Sequence, residues 1–255
     1  MKPLARLAAY LAVVLASVLG SASLLLLVSF LFLGNFHFFQ LGLGSTTALA
    51  WDALLSAAFF LQHSGMVRRS FRQRLEPFVS DPFHGLIFTI ASASTLTLCL
   101  ILWQRAGEPI GQLDGAPAWL MRILFILAIA GFAWGVRALG SFDTFGIRRV
   151  VALLRNSQTR QHPFVVKGPY RWVRHPLYFF ALVLFWSCPA ITPDRLLFNI
   201  LWTVWVVLAT FLEERDLVYQ FGDPYIQYQR EVPMIFPWRI SPPGPPARPP
   251  ANEAA

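Results

Sequence analysis

The sequence predicts an all-α fold: a polytopic integral membrane helical bundle of five or six spans that closes with a C-terminal helical hairpin. Three observations predict it. Hydrophobic residues make up 56% of the 255-residue chain and charged residues only 13%. The mean hydropathy is +0.53, outside the range of ordinary soluble globules. Long apolar runs alternate with short basic segments, and those basic segments fall almost entirely on one side of the runs.

A span needs about 20 apolar residues at about 1.5 Å each. The first run, Leu4 to Leu33, follows a short basic head, Lys2 and Arg6. Its patch Gly20-Ser21-Ala22-Ser23 imitates a signal-peptidase site, but the run continues to Phe32 and reads as an uncleaved span. Further runs cover Thr47 to Gln62, Phe83 to Trp103, Trp119 to Leu139, Tyr178 to Ile191 and Leu196 to Leu212. The last two are separated by Thr192-Pro193-Asp194-Arg195, a polar turn that suits antiparallel helices. Their arms of about 14 and 17 residues reach only about 21 and 26 Å, short against a core of about 30 Å.

With a cytoplasmic N-terminus and six crossings, 18 of the 21 Lys and Arg lie on one side, and only Arg105, Arg122 and Arg195 on the other. The excess over 13 Asp and Glu thus reads as membrane topology against a lipid bilayer, not as a nucleic-acid surface. Cys99 and Cys188 lie inside apolar runs without metal-ligand spacing and read as packing residues. No metal site is expected.

The segment 140–167 is polar and basic, a cytoplasmic loop with a partial helix. Asp223-Pro224 starts a short interfacial helix, with Asp as cap and Pro in the first turn. From Ser241 the Pro-rich tail, 241–255, is expected to be disordered.

The stretch Gly168-Pro169-Tyr170-Arg171-Trp172-Val173-Arg174-His175-Pro176-Leu177-Tyr178 stands directly before the hairpin, and Glu213-Glu214-Arg215-Asp216 directly after it. A hairpin returns the chain to the side it left, so Arg174, His175 and Tyr178 should meet Glu213 and Glu214 at its cytoplasmic mouth. Adjacent carboxylates at the end of a helix oppose its dipole and each other and need a cationic partner. Interfacial anchoring explains any one of these residues, but neither the doubled glutamate nor His-Pro at the start of a span. A pocket of aromatic faces, a Gly-Pro turn and carboxylates suits a ligand flat at one end and cationic at the other, the character of S-adenosylmethionine.

Gly168-Pro169-Tyr170, Arg174-His175-Pro176-Leu177-Tyr178, Glu213-Glu214, Phe221-Gly222 with Tyr225 and Tyr228, and Val232-Pro233 together resemble the C-terminal signature of the membrane methyltransferases. That superfamily includes isoprenylcysteine carboxyl methyltransferases and phospholipid methyltransferases. Gln62-His63-Ser64 with Met66 and Arg68, the Glu-Glu-Arg-Asp-Leu stretch and Val-Pro-Met look like the bacterial methanethiol S-methyltransferases. A membrane family associated with nitric-oxide reductase is similar in the N-terminal half. The resemblance implies N-terminal transmembrane helices over 1–139 and a catalytic methyltransferase region over 140–240. It places Gly168, Tyr170, His175, Pro176 and Tyr178 in the S-adenosylmethionine pocket, with His162 and Val165 from an upstream strand-like stretch. Glu213 and Glu214 are expected at the cofactor's polar end or at the reaction centre, with Glu214 a catalytic candidate. The isoprenylcysteine enzymes carry an arginine three residues before the doubled glutamate, where this chain has Thr210, so a small thiol is a better acceptor than a carboxylate.

The resemblance implies transfer of a methyl group to methanethiol, giving dimethyl sulfide, at a bacterial inner membrane with both termini and the cofactor site cytoplasmic. Holding nucleophile, methyl and sulfonium collinear would supply most of the rate. Methanethiol is mostly protonated at neutral pH, so His175 and Arg174 are candidates to assist, and so is His63 if the second span's end abuts the hairpin. Methylation of a lipid or a prenylcysteine carboxylate, or a non-catalytic accessory role, are the alternatives. The sequence leaves the oligomeric state open.

Overall fold

The computed structural model describes residues 3–36, 38–140, 143–157 and 164–238. His37, His162 and the tail 241–255 lie outside the described residues.

The first helix, α1, covers Pro3–Leu33 and lies along α4, His84–Ile101. Between them run α2, Ser45–Val67, and the short basic α3, Arg69–Leu75. Helix α5 covers Gly115–Ala138 and packs against α7, Pro176–Trp186; α6, Ile147–Leu154, lies in the loop between them. Helix α8, Pro193–Phe221, packs on α2, and α9, Asp223–Glu231, folds back beside the end of α8. Four of these helices, α1, α4, α5 and α8, are long and apolar enough to cross a membrane. The protein is an integral membrane protein. Helix α2 is 23 residues long but carries Asp52, Ser56, Gln62 and His63.

The apolar runs become helices with shifted ends. Helix α7 starts at Pro176, where a proline lacking a donor costs nothing in the first turn. It stops at Trp186, five residues before the expected end, because Pro189 disfavours helix at Cys188. The chain then runs extended and pairs β2, Ala190–Ile191, antiparallel with β1, Gly111–Gln112. The polar turn expected at 192–195 is therefore the start of α8: Thr192 caps it by accepting from the Arg195 amide, and Asp194 and Arg195 are buried in its first turn. The second arm also runs past Leu212 to Phe221, so 29 residues extend over about 43 Å. Glu213 and Glu214 thus lie two turns inside a helix and not after its end, which removes the expected clash with the helix dipole.

The loop 140–167 contributes α6, as expected of a partial helix. The Asp143 carboxylate accepts from the Ile147 and Arg148 amides at its start. Asp223 does not cap α9 with its side chain; it occupies the first turn after Gly222. Residues 164–167 form no strand pairing.

The main core is an aromatic and aliphatic cluster built from α1, α2, α4, α5, α7 and α8, in which Phe30 and Phe198 meet Trp103 edge-on and Phe198 stacks on Trp202. Cys99 and Cys188 are buried and free, Cys99 within this cluster. Among the described residues these six helices alternate in direction between two ends. One end holds the links 34–44, 102–114 and 187–192, tied by Gln104 to Phe39 and Leu41 and by β1 to β2. The other holds α3, α6, the segment 164–175 and α9.

At that second end the loop before α6 crosses the start of α4 at two glycines. A Cβ on Gly85 would lie 2.7 Å from Gly146 Cα, and Gly146 itself has φ +65°. Gly85→Val should lower stability in detergent by about 1–3 kcal/mol, whereas Gly65→Ala, which meets nothing within 4 Å, should change it by less than about 1 kcal/mol. Thermal unfolding of the two purified variants beside the parent checks this.

Candidate functional site

The segment 168–175 is held in place by backbone and by tight packing. Gly168 has φ +55°, and a Cβ there would lie 2.9 Å from the Ala138 Cβ, so α5 and the turn meet at a glycine. A short 3-10 turn covers Gly168–Arg171 with Pro169 buried. The amides of Arg174 and His175 donate to the carbonyls of Pro233 (2.9 Å) and Met234 (3.0 Å). The C-terminal end thereby clamps the entry to α7.

These constraints aim Arg174 and His175 at α8. Arg174 binds Glu214 in a two-pronged contact, Nε to Oε1 and Nη2 to Oε2, both 2.9 Å. Its Nη1 donates to the carbonyls of Gln229 (2.9 Å) and Val232. His175 Nε2 lies 2.6 Å from Glu214 Oε1; the Tyr225 hydroxyl donates to that same oxygen at 2.8 Å, and Gln229 Nε2 to Oε2 at 2.5 Å. Glu214 is thus surrounded by four side chains, with its own only 9% exposed. A carboxylate with this many charge-assisted bonds is a fixed internal anchor.

Glu213 differs. Its side chain is 42% exposed and accepts from the Tyr178 hydroxyl at 2.5 Å. The Tyr178 ring stacks on His175 at 5.4 Å and 5°, and His175 Nδ1 lies 3.7 Å from Glu213 Oε2. Because a carboxylate beside Nε2 can only accept, the ring proton belongs on Nε2, and Nδ1 faces Glu213. Glu213, His175 and Tyr178 form the open face of the cluster, with Glu214 behind it.

Tyr170 sits beside this face, and its carbonyl accepts from the Tyr228 hydroxyl at 2.5 Å. Burial pushes the phenols of Tyr170, Tyr225 and Tyr228 above their usual range, and the Glu214 carboxylate pushes Tyr225 further. They remain donors at any physiological pH.

The structure therefore gathers Gly168, Tyr170, Arg174, His175, Pro176, Tyr178, Glu213 and Glu214 at one end of the bundle. Val165 is not gathered with them: it is 51% exposed, while its neighbour Phe164 packs on Phe221, Tyr225 and Tyr228. His63 is not in the cluster either. Its ring is wedged among Phe59, Phe88 and Trp205, and Trp205 lies about 12 Å down α8 from Glu213. Its Nδ1 is buried without a partner. Sequence reasoning omitted Tyr225 and Gln229 from the site. Both contact Glu214 from one face of α9, and their four-residue spacing after Asp223-Pro224 was the available signal.

A sequence model of the phospholipid methyltransferase family matches residues 118–223. A protein of Pseudomonas sp. (strain GM41(2012)) named methanethiol S-methyltransferase is 32% identical over 197 residues, covering 75% of this chain and 74% of that protein. Methanethiol S-methyltransferase 2 of Bradyrhizobium diazoefficiens is 32% identical over 239 residues, covering 90% and 91%. Nurim of Rattus norvegicus is 24% identical over 200 residues, covering 74% and 73%. No solved structure matches. An all-helical apolar bundle with this polar cluster, in this company, defines a membrane methyltransferase. Within that class the chain belongs to the family of the methanethiol S-methyltransferases.

Removing one partner of a buried ion pair strands the other. Glu214→Ala should lower stability by about 3–5 kcal/mol, and Glu214→Leu combined with Arg174→Met should regain much of it. Glu213→Ala, on an exposed side chain, should cost no more than about 1 kcal/mol. Unfolding in detergent of the four proteins orders them.

Proposed function

We propose that the protein is an S-adenosylmethionine-dependent thiol S-methyltransferase that converts methanethiol to dimethyl sulfide on the Glu213–His175–Tyr178 face. The observation that carries this reading is a half-exposed carboxylate beside a stacked imidazole and phenol, fixed from behind by a saturated ion pair. An open carboxylate suits the cationic part of the donor, and aromatic faces suit a flat base and a sulfonium. Those residues fit the group. When bound, S-adenosylmethionine supplies an electrophilic methyl on a positively charged sulfur.

The chain's own residues then have separate tasks. Glu214 and Arg174 hold position; Arg174 gives four of its five N–H donors to Glu214 and two carbonyls. Glu213 offers negative charge to the donor's cationic end, with Tyr178 fixing its orientation. His175 presents Nδ1 as the acceptor of the thiol proton, its tautomer set by Glu214. The donor held on this face would supply the methyl carbon to the thiol sulfur and leave as a thioether with its electron pair, and His175 would take the thiol proton at Nδ1. Alignment supplies most of the acceleration.

The acceptor's identity rests on two supports. Relatives at 32% identity bear the name methanethiol S-methyltransferase. Thr210, buried with its hydroxyl on the Val206 carbonyl, leaves no cation there for a carboxylate substrate. The bias of 18 of 21 basic residues toward one side supports a cytoplasmic site in a bacterial inner membrane.

Membranes containing the protein, given S-adenosylmethionine and methanethiol, should release dimethyl sulfide into the headspace. Labelled methyl in lipid and none in the headspace would replace the thiol reading with a lipid one. His175→Ala should lower kcat by about 10²–10⁴-fold, and Glu213→Gln should raise the KM for S-adenosylmethionine more than it lowers kcat. Full activity in both variants would discard the site.

A further inference from the structure

The three basic residues on the sparsely charged side of the chain converge. Arg105, Arg122 and Arg195 all line one pocket of about 200 Å³ between the end of α1 and the start of α8. The Arg195 to Glu214 separation along α8 is 19 residues, about 28 Å, close to the thickness of a hydrocarbon core. The pocket therefore sits at the opposite membrane face from the methyltransferase site.

Its charge is balanced only in part by the protein: Arg105 pairs with the exposed Glu108 at 3.3 Å, and the other two arginines have no such partner. Asp194 is the one carboxylate lining the pocket, and its Oδ1 is taken by the Ala106 amide at 3.2 Å. Among the described residues neither Arg122 nor Arg195 forms an ion pair with a carboxylate. Arg195 is 6% exposed, gives Nη1 and Nη2 to the carbonyls of Phe30 (3.3 Å) and Phe185 (3.1 Å), and leaves Nε without a partner. Arg122 lies over the Phe32 ring at 4.2 Å and donates to the Phe32 carbonyl. Cations held this way attract an anion from outside the chain.

A second cavity continues from the first. It shares Phe32, Arg122, Pro189 and Ala190 with it and extends for about 780 Å³ along α5. Trp119, Ile123, Ile126 and Leu127 line it, and all four are more than half exposed. On a membrane helix that face meets acyl chains. Asp114, at the mouth, is already bonded to Gln112.

We propose that this end of the bundle binds an anionic phospholipid, with its phosphate among Arg105, Arg122 and Arg195 and one acyl chain in the groove along α5. The occupant has to be negative at one end and apolar for the rest of its length, and a bilayer supplies that molecule at this depth. The site is separate from the methyl-transfer face and does not depend on the acceptor assigned there.

Native mass spectrometry tests it on the full chain, extracted in mild detergent and offered phosphatidylglycerol and phosphatidylcholine with identical acyl chains. Phosphatidylglycerol should be retained in preference, by about fivefold for each arginine engaged. Arg122→Gln should cut that preference about fivefold. Ile126→Trp, which fills the groove on a lipid-facing position, should lower retention of both lipids, and Arg68→Gln at the other end should change nothing. Glycerol 3-phosphate, which has the anion but no chain, should fail to displace the lipid. Equal retention of the two lipids, or a preference undiminished by Arg122→Gln and Arg105→Gln in proteins of parental melting temperature, overturns the proposal. Displacement by glycerol 3-phosphate with no effect of Ile126→Trp overturns it too, since the site would then hold a free anion.

Discussion

Arg174 and Glu214 meet in a two-pronged contact at 2.9 Å with both side chains almost wholly buried, and much of this end of the protein is arranged to make that contact affordable. A buried pair is tolerable only if its remaining donors and lone pairs are also satisfied. Here Tyr225, Gln229 and His175 complete the carboxylate, and the carbonyls of Gln229 and Val232 complete the guanidinium. Those partners come from the segment before α7, from α8, from α9 and from the chain after it. One ion pair thus ties the segment before α7 to α8, α9 and the chain after it, across 40 residues between Arg174 and Glu214, and the open face formed by Glu213, His175 and Tyr178 inherits its geometry from them.

The length of α8 makes this arrangement possible. A helix stopping at Leu212 would leave the two glutamates on a loop, free to choose their partners. Continued to Phe221, it carries them on a rigid rod beside α9. Successive residues on a helix point about 100° apart, so Glu213 and Glu214 face different surroundings: one looks outward to Tyr178, the other inward to Arg174. Adjacent identical residues acquire different roles from helical geometry alone. The same rod carries Arg195 at its start, which sets the arginine-lined pocket about one membrane thickness from the carboxylates.

Much of this was legible in the sequence because hydropathy and the return of a hairpin are long-range constraints that do not need exact boundaries. They placed Arg174, His175 and Tyr178 against Glu213 and Glu214 across about 38 residues. The boundaries themselves were less legible. A polar Thr-Pro-Asp-Arg reads as a solvent turn, and only tertiary contacts, the Ala106 amide for Asp194 and two carbonyls for Arg195, reveal it as the buried start of a helix. Glu-Glu-Arg-Asp likewise reads as an end to an apolar run although nothing in it breaks a helix; Gly222 does that. The distinct burial of the two glutamates was invisible, because periodicity gives relative directions but not which face is covered. His63 would reach the site only where two helix ends abut, and the aromatic packing around it shows that they are offset along α8.

The central claim is that the methyl donor lies against the Glu213–His175–Tyr178 face. Ultraviolet cross-linking of methyl-labelled S-adenosylmethionine to the protein in membranes, followed by peptide mapping, tests it most directly. The account predicts that label is displaced by S-adenosylhomocysteine and maps to peptides containing Tyr170 to Tyr178 or Glu213. Displaceable label confined to peptides from α1, α4 or the first half of α5 would contradict it.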